Sequence, residues 1–436
     1  MIPEAGAPVR PPPAYRDPNV LRWLGAYTTS VTGDIVYFLA LTWAVTQESG
    51  PAQAGVVLAA GAVPRAVLML AGGVVADRFG PRRVVIGSDL VRCAVILAAA
   101  TAAWLIGTEL WMLVALAVVF GCVDALFMPA VGALPPRIAA TDQLARVQGL
   151  RLLSVRLSNT VGPPLAAVAL SVSGSPGAFG VAGALFTVSL VLLLAVRVRP
   201  LPPAGEPEDE PKDGAGVRDV VTAPRQEFRD GLRYLRANGR VSSLVVVIGL
   251  GEMCFSGPVS TGLVLLADER GWGTAAAGWI LSAFSVGGAV ASLLLSVLSR
   301  VPRAGLTMSC ALLLTAALVV ATGNAPTAGL SIALGALLGT ASGVAMVVSN
   351  ALLQKETDPR YLGRVTSVMT LCTLGLSPLL YPVVGLVAAN WGIGAFFAGC
   401  GAICVLAAAT GLLVRSVRTA VLQDDRRTAP APAHDR

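Results

Sequence analysis

The sequence predicts an all-α membrane protein of twelve transmembrane helices, arranged as two pseudo-symmetric six-helix bundles. Three observations support this class. Apolar residues make up 55% of the 436 residues and charged residues only 13%, about half of the charge that a soluble domain carries. The apolar residues form blocks long enough to cross a bilayer, which takes about 20 helical residues. One long polar segment divides these blocks into two sets.

The apolar blocks and the polar segments set the domain boundaries. We predict a bundle at residues 20–197, a cytoplasmic linker at 198–240 and a second bundle at 241–417. The polar, Pro-rich residues 1–19 predict a disordered cytoplasmic tail, and residues 418–436 form a second cytoplasmic tail. The predicted spans lie at 20–46, 54–77, 84–106, 110–133, 147–172, 177–197, 241–267, 273–299, 305–323, 328–350, 365–389 and 393–417.

The short loops predict the orientation, because cytoplasmic loops carry an excess of Lys and Arg. Four alternate loops contain ten basic residues, whereas the loops on the other side contain Arg270 alone. Both termini are therefore predicted to be cytoplasmic. The richness in Ala, Gly and Pro, with Arg far exceeding Lys, indicates a GC-rich bacterial genome. We therefore expect a multi-pass protein of the bacterial inner membrane. The basic residues of the cytoplasmic loops are Arg78, Arg82, Arg83, Arg137, Arg146, Arg300, Arg303, Lys355, Arg360 and Arg364.

The linker has two parts of different chemistry. The first is acidic and rich in proline, which predicts disorder. The second reads EFRDGLRYLR and places Phe228, Leu232 and Leu235 on one helical face, with arginines around them. Such an amphipathic helix fits the inner membrane surface, and it fits equally well as an ordinary helix packed beneath the bundle. The sequence leaves both arrangements open.

Composition excludes several classes of function. The formal net charge of +7 comes from basic residues in short segments between apolar blocks, which argues against a nucleic-acid partner. His434 is the only histidine and lies in the polar tail, which excludes histidine-based catalysis and histidine metal sites. With no metal-ligand spacing or nucleophile–base pair, we expect no metal, cofactor or enzymatic activity. The cysteines lie inside apolar blocks, as packing residues do: Cys93, Cys122, Cys254, Cys310, Cys372, Cys400 and Cys404.

The two predicted bundles repeat at an offset of 218 residues. This offset places Gly33 and Asp34 on Gly251 and Glu252, whereas the second and eighth helices need an additional gap of about five residues. One offset recurring in several helices indicates duplication of a six-helix unit. The other matched pairs are Tyr37 with Phe255, Gly121 with Gly339, Arg146 with Arg364, and Pro164 with Pro382.

Charged residues inside the apolar spans are the candidate functional residues. Each costs at least about 2.5–3.5 kcal/mol on insertion scales and persists where it faces a cavity or another charge. Asp34, Arg65 and Glu252 fall near the membrane midplane, and Asp124 and Arg156 lie somewhat towards the cytoplasm. A carboxylate poised between the cost of burial and a neighbouring arginine can load and release a proton. We therefore predict a proton and substrate cavity from these five residues.

A structural role is the alternative for these charges. Asp34 and Arg65 lie on adjoining helices and can form an ion pair that only stabilises the bundle. Asp89 and Arg92 lie one helical turn apart near the interface and can satisfy each other, so we assign that pair a structural role.

The loop after the second span reads GGVVADRFGPRRV. Its glycines allow close backbone approach at a helix end, and its charges can bridge to a neighbouring helix. The segment resembles the loop signature of the major facilitator superfamily, although Pro81 stands where that family usually has a basic residue. The second bundle keeps only a reduced copy, SRVPR, at residues 299–303. The matching positions, which the resemblance identifies as a cytoplasmic gating motif, are Gly73, Asp77, Arg78, Gly80 and Arg82.

Further segments resemble one branch of that superfamily. GDIVYFLAL, SDLVR, DQLARVQGL and FRDGLRYLRANGRV are similar to drug:proton antiporters related to macrolide-efflux and enterobactin-exporter proteins. The resemblance implies the major facilitator fold, with the first and fourth helices of each bundle lining a central cavity. It places Asp34, Asp124 and Glu252 on cavity helices, and it implies that Asp77 and Arg78 form a latch that breaks on inward opening.

Together these features predict a secondary active transporter that exports amphipathic organic compounds of the drug, macrolide or siderophore class. Proton entry would drive export by alternating access, and the partners would be the substrate, the proton and the lipid bilayer, with the chain acting as a monomer. Two alternatives remain open. One is a lipid or lysolipid flippase of the same fold, and the other is a non-transporting membrane receptor or scaffold.

Overall fold

The chain divides into two compact units, Met1–Gly214 and Ala215–Arg436, hereafter the N-terminal and C-terminal units. In the described part of each unit the regular structure is helical, and turns join several of the helices. The computed structural model describes residues 15–139, 143–197, 229, 231–255, 258–297 and 303–420.

The N-terminal unit contains six described helices. The longest has 51 residues and bends at Gly174, whose φ of 62° and ψ of −162° lie outside the helical region. Glycine adopts this conformation at little cost, so the bend separates the predicted spans at 147–172 and 177–197. The helices are α1 (Pro18–Ser49), α2 (Pro51–Phe79), α3 (Pro81–Ile106), α4 (Leu110–Gly132), α5 (Pro135–Ile138) and α6 (Leu144–Leu194).

Gly-Pro pairs make the tight turns between the first three helices. Gly50 and Gly80 both have φ of 83°, a left-handed value that favours glycine, and each ends one helix. Pro51 and Pro81 begin the next helix, where the missing N–H of proline would be unpaired in any residue. The chain therefore reverses direction within one or two residues, which lets α1, α2 and α3 stand side by side.

The C-terminal unit begins with a short helix at residues 231–237, named α7 here. Residues 256 and 257, between α8 and α9, lie outside the described ranges, so the predicted span at 241–267 is described as two helices. The other helices are α8 (Gly239–Phe255), α9 (Pro258–Glu269), α10 (Gly273–Val297), α11 (Ala304–Gly323), α12 (Ala328–Glu356), α13 (Pro359–Trp391), α14 (Ile393–Leu413) and α15 (Arg415–Arg418).

Eight helices in the described part of the chain are long and apolar enough to cross a membrane. Helix α6 is one of them, although its bend divides it into two of the predicted spans. Helix α1 is long enough but less apolar than these eight, because its serine and threonine residues and Asp34 lower its mean hydropathy. The structure therefore shows an all-helical, multi-span protein, while the count of twelve spans stays a prediction.

Helix α7 packs beneath the C-terminal unit. Leu235 is buried in the same apolar cluster as residues of α8 and α13. The Tyr234 ring stacks on Tyr361 with centroids 4.4 Å apart, and the Tyr234 hydroxyl accepts a hydrogen bond of 3.2 Å from the backbone N–H of Asp358. Residues 231–237 therefore pack against other helices of the C-terminal unit, and a position at the inner membrane surface stays a prediction. The acidic part of the linker lies outside the described residues.

One close helix crossing occurs in both units. A Cβ added to Gly121 of α4 would lie 1.9 Å from the carbonyl oxygen of Gly61 in α2. A Cβ added to Gly339 of α12 would lie 1.9 Å from the carbonyl oxygen of Phe284 in α10. The first offset, from 121 to 339, is 218 residues, and the second, from 61 to 284, is 223 residues. The two units therefore repeat the same contact, with the five-residue gap that the sequence comparison requires.

Substitution of these glycines tests the repeated crossing. Gly121→Ala and Gly339→Ala are each expected to lower stability by about 1–3 kcal/mol, because a helix backbone cannot move aside as a flexible side chain does. Thermal unfolding of the purified protein in detergent measures the loss. Gly87→Ala and Gly329→Ala are matched controls, since a Cβ at either helical position meets no atom within 4 Å. Equal melting temperatures for all four variants would contradict the close crossing.

Candidate functional site

The centre of the N-terminal unit is the guanidinium of Arg92, which is fully buried on α3. It contacts carboxylates from three helices. The distance from Nη1 to Asp34 Oδ2 on α1 is 3.4 Å, and that from Nη1 to Asp89 Oδ1 on α3 is 3.6 Å. The second nitrogen, Nη2, donates to Asp124 Oδ1 on α4. One buried cation thus joins α1, α3 and α4.

A second arginine contacts this cluster from α2. Arg65 Nη1 lies 3.7 Å from Asp124 Oδ2, and the Arg65 side chain is 37% exposed. The Arg92 cluster therefore contains three carboxylates (Asp34, Asp89 and Asp124) and two guanidiniums, with a formal charge of −1 when all are ionised. A single proton makes the cluster neutral.

Asp89 is the carboxylate most completely enclosed by protein. Its side chain is 0% exposed, whereas those of Asp34 and Asp124 are 29% and 19% exposed. Ser30 Oγ donates to Asp89 Oδ1 at 3.2 Å, and Ser189 Oγ donates to Oδ2. Arg92 Nη1 also donates to Ser30 Oγ at 3.3 Å. Both oxygens of Asp89 are therefore satisfied without water.

Aromatic rings close the cluster on its apolar side. The Arg92 guanidinium carbon lies 4.1 Å from the centroid of the Phe127 ring and 5.7 Å from that of Phe186. Phe186 reaches this place because residue 33 is glycine, where an added Cβ would lie 3.2 Å from the ring. The π faces of the rings attract the cation, and their bulk excludes water, which strengthens the ion pairs.

Asp34 has an oxygen available for a proton. Its Oδ2 faces Arg92, but its Oδ1 is buried and has no hydrogen-bond partner among the described residues. The oxygens of Asp89 and Asp124 all contact a donor. A proton can bind at Asp34 Oδ1 without displacing an existing hydrogen bond, which distinguishes this carboxylate from the other two.

The two remaining residues of the predicted cavity are not part of the Arg92 cluster. Glu252 is partly buried on α8 in the C-terminal unit, and neither a hydrogen bond nor an ion pair joins it to another described residue. Arg156 is partly buried on α6 and forms no ion pair with a described acidic side chain.

Comparison with known proteins decides the family. A family model described as Major Facilitator Superfamily matches residues 23–373 and, separately, 241–435. The chain belongs to the Major Facilitator Superfamily. It is therefore a multi-pass membrane transporter for small molecules and not an enzyme, as the sequence predicts.

Several curated members of the superfamily are similar along most of the chain. The multidrug efflux pump Tap of Mycolicibacterium fortuitum is 26% identical over 383 residues, covering 86% of this chain and 90% of Tap. The enterobactin exporter EntS of Shigella boydii is 25% identical, covering 74% of this chain and 77% of EntS. The uncharacterized MFS-type transporter YfiS of Bacillus subtilis is 25% identical, covering 90% and 93%.

Solved structures of other transporters share the fold. The nucleoside transporter NupG superposes with a TM-score of 0.67 at 14% identity, covering 91% of this chain and 98% of NupG. A bacterial homologue of the human lysosomal transporter Spinster, in an inward-facing and occupied conformation, gives a TM-score of 0.66 at 14% identity. That comparison covers 92% of this chain and 96% of the homologue.

The loop signature of the superfamily lies at the junction of α2 and α3. Arg82 Nη2 donates a 3.1 Å hydrogen bond to the carbonyl oxygen of Leu194, at the last residue of α6. Arg78 is exposed and lies over the ring of Phe79 at 5.9 Å. Gly80 makes the turn described above. Gly73 and Asp77 belong to α2, but their side-chain positions lie outside the described residues, as do residues 299–302 of the reduced copy.

The structure changes the ion pairing that the sequence suggests. Asp34 pairs with Arg92, whereas Arg65 pairs with Asp124. The predicted contact between Asp89 and Arg92 exists, and Arg92 also contacts Asp34 and Asp124, so the two residues do not only satisfy each other. Sequence reasoning therefore missed Arg92 as the centre of the site. An available signal was that the candidate carboxylates of the first four spans, Asp34 and Asp124, outnumber the one candidate arginine of those spans, Arg65.

Removal of each arginine tests its place in the cluster. Arg92→Met is expected to cost about 3–5 kcal/mol of stability, because it leaves the buried Asp89 without its cation. Arg65→Gln is expected to cost at most about 1 kcal/mol, since that arginine is partly exposed and its pair is long. Thermal unfolding in detergent at neutral pH compares the two. Equal losses would rule out Arg92 as the principal counter-ion.

Proposed function

We propose that the protein is a proton-coupled exporter of amphipathic organic compounds of the drug, macrolide or siderophore class. It would work by alternating access in the bacterial inner membrane, with twelve spans and both termini in the cytoplasm. The observation that carries this proposal is the Arg92 cluster, in which Asp34 Oδ1 has no hydrogen-bond partner among the described residues. The names of Tap and EntS, an efflux pump and an exporter, support the direction and substrate class.

The proton-binding step follows from the charges of the cluster. With all groups ionised, three carboxylates face two guanidiniums. A proton from water forms an O–H bond at Asp34 Oδ1, which removes the excess negative charge. The exposed 29% of the Asp34 side chain does not include Oδ1, which is buried, so the proton has to pass from water at the edge of the carboxyl group to this oxygen while Arg92 stays buried. Release of the same proton restores the Asp34–Arg92 ion pair, and this alternation is the proposed coupling event.

The membrane potential sets the energy that such a step can deliver. One charge that crosses 100 mV yields about 2.3 kcal/mol. A tenfold concentration ratio corresponds to about 1.4 kcal/mol, so one proton can support a substrate gradient of roughly fiftyfold per 100 mV. A single proton-binding carboxylate therefore suffices for useful export.

Glu252 is proposed as the second functional carboxylate. It occupies the position in the C-terminal unit that corresponds to Asp34, and it has no ion-pair partner among the described residues. It could take a proton or contact the substrate directly. Arg156 is proposed to line the substrate path on α6.

The loop between α2 and α3 is proposed as the cytoplasmic gate. Arg82, in the first turn of α3, donates a hydrogen bond to the carbonyl oxygen of the last residue of α6. This contact links the ends of two long helices. In this proposal Asp77 and Arg78 add a latch that breaks when the transporter opens inward, Gly73 allows close approach of the helix end, and Gly80 makes the turn between α2 and α3.

Vesicle transport with charge-neutral variants tests the coupling. A resistance screen in a pump-deficient host first selects a transported compound. In everted membrane vesicles, uncoupler should abolish uphill accumulation of that compound by the native protein. Asp34→Asn and Glu252→Gln should each abolish uphill accumulation at near-normal expression. Asp34→Asn should retain exchange at equal pH, because it mimics the protonated carboxyl. Glu109→Gln, an exposed residue before α4, is the matched control and should transport normally.

Three outcomes would reject the proposal. Uphill transport by both variants would place the coupling site elsewhere. Loss of transport on addition of excess lysolipid would favour a flippase. Full biological function after neutralisation of every membrane carboxylate would favour a receptor or scaffold.

A further inference from the structure

We propose that Asp89 is a positioning residue for proton coupling: it holds Arg92 in place, charged, while Asp34 gains and loses the proton. This inference rests on the proposed function, and it assigns to Asp89 a role different from those of Asp34 and Asp124. The three carboxylates share one arginine but differ in burial, in hydrogen bonding and in the helix that carries them.

Asp89 is unsuited to carry a proton itself. Its side chain is 0% exposed, so water does not reach it. Both of its oxygens already accept hydrogen bonds, from Ser30 on α1 and from Ser189 on α6. Because both hydroxyls donate to the carboxylate, they stabilise its ionised form, and a proton on either oxygen would weaken these bonds. The hydroxyls therefore keep Asp89 as a fixed negative charge.

Asp89 is suited to hold Arg92, because both residues belong to α3. They are three positions apart on one helix, with Nη1 and Oδ1 separated by 3.6 Å. Asp34 and Asp124 approach from α1 and α4. A movement of α1 or α4 relative to α3 changes the contacts of Arg92 with those two carboxylates. The contact with Asp89 moves with the helix and survives.

A fixed charge at Asp89 also controls how strongly Asp34 binds its proton. Arg92 faces both Asp34 and Asp89. The part of its positive charge that Asp89 neutralises therefore does not stabilise the ionised form of Asp34. Without the Asp89 charge, Arg92 would pair fully with Asp34, and Asp34 would bind a proton only at more acidic pH. The charged and titratable groups facing Asp34 are Arg65 on α2, Asp89 and Arg92 on α3, Asp124 on α4 and Tyr37 on α1; Arg151 and Arg156 lie on the adjacent α6.

Infrared titration of the purified full-length protein in lipid tests the role without a transported compound. The probe is the proton itself, followed by the carboxyl C=O band that disappears as pH rises. Asp34→Asn identifies the Asp34 band by removing it. In Asp89→Asn the midpoint of that band should move to more acidic pH by about one unit or more. Glu109→Gln, which is far from any ion pair of the cluster, should leave the midpoint unchanged.

A second variant keeps the test decisive if Asp89→Asn does not fold. Ser189→Ala removes one donor from Asp89, so the carboxylate attracts Arg92 more strongly and less of the cation remains for Asp34. The midpoint of the Asp34 band should then move in the opposite direction, towards alkaline pH, by a smaller amount. A merely structural Asp89 would lower the melting temperature in both variants and leave the midpoint unmoved.

The outcomes separate this inference from the proposed function. A native protein with no titrating band that Asp34→Asn removes would overturn the proposed proton site. A titrating Asp34 band whose midpoint is the same in the native protein, Asp89→Asn and Ser189→Ala would overturn the positioning role alone. A shift of the Asp34 midpoint to more acidic pH in Asp89→Asn and to more alkaline pH in Ser189→Ala would support the positioning role.

Discussion

The buried guanidinium of Arg92 is the interaction on which the rest of the N-terminal unit depends. A charge inside a membrane protein is costly unless other charges and hydrogen bonds surround it. Arg92 meets this requirement with carboxylates from three helices, a serine hydroxyl and two aromatic rings. The same contacts that compensate the charge also hold α1, α3 and α4 together, so a change in one ion pair is a change in helix packing.

The small-residue crossing of α2 and α4 supports this arrangement. Gly61 and Gly121 bring the two backbones into contact, and Arg65 and Asp124 follow them by about one helical turn, where they form their ion pair. The C-terminal unit repeats the crossing but not the charges. At the corresponding offsets, Arg65 falls on Gly288 and Asp124 on Ser342, both small uncharged residues. The fold is duplicated, while the proposed proton chemistry is concentrated in one unit.

The sequence could predict much of this organisation, because apolar block length and internal offset are local properties. Most blocks fall on one helix each, although α6 contains two of them and the block at 241–267 is described as two helices. The five-residue gap in the repeat corresponds to a shift between α2 and α10. Asp34 and Asp124 could be singled out because charges in apolar spans are rare. Their partners could not be assigned, because pairing depends on which helix faces pack together. Arg92 has Asp89 three residues away on the same helix, and this local ion pair accounts for its charge without any other partner. Its contacts with α1 and α4 could therefore not be inferred from the sequence.

The most direct measurement is a pair of experimental structures, determined at acid and at alkaline pH. The account predicts that Arg92 stays against Asp89 in both, and that Asp34 is paired with Arg92 at alkaline pH and separated from it at acid pH. An Arg92 that leaves Asp89 while it remains paired with Asp34, or a cluster with the same ion pairs at both pH values, would contradict it.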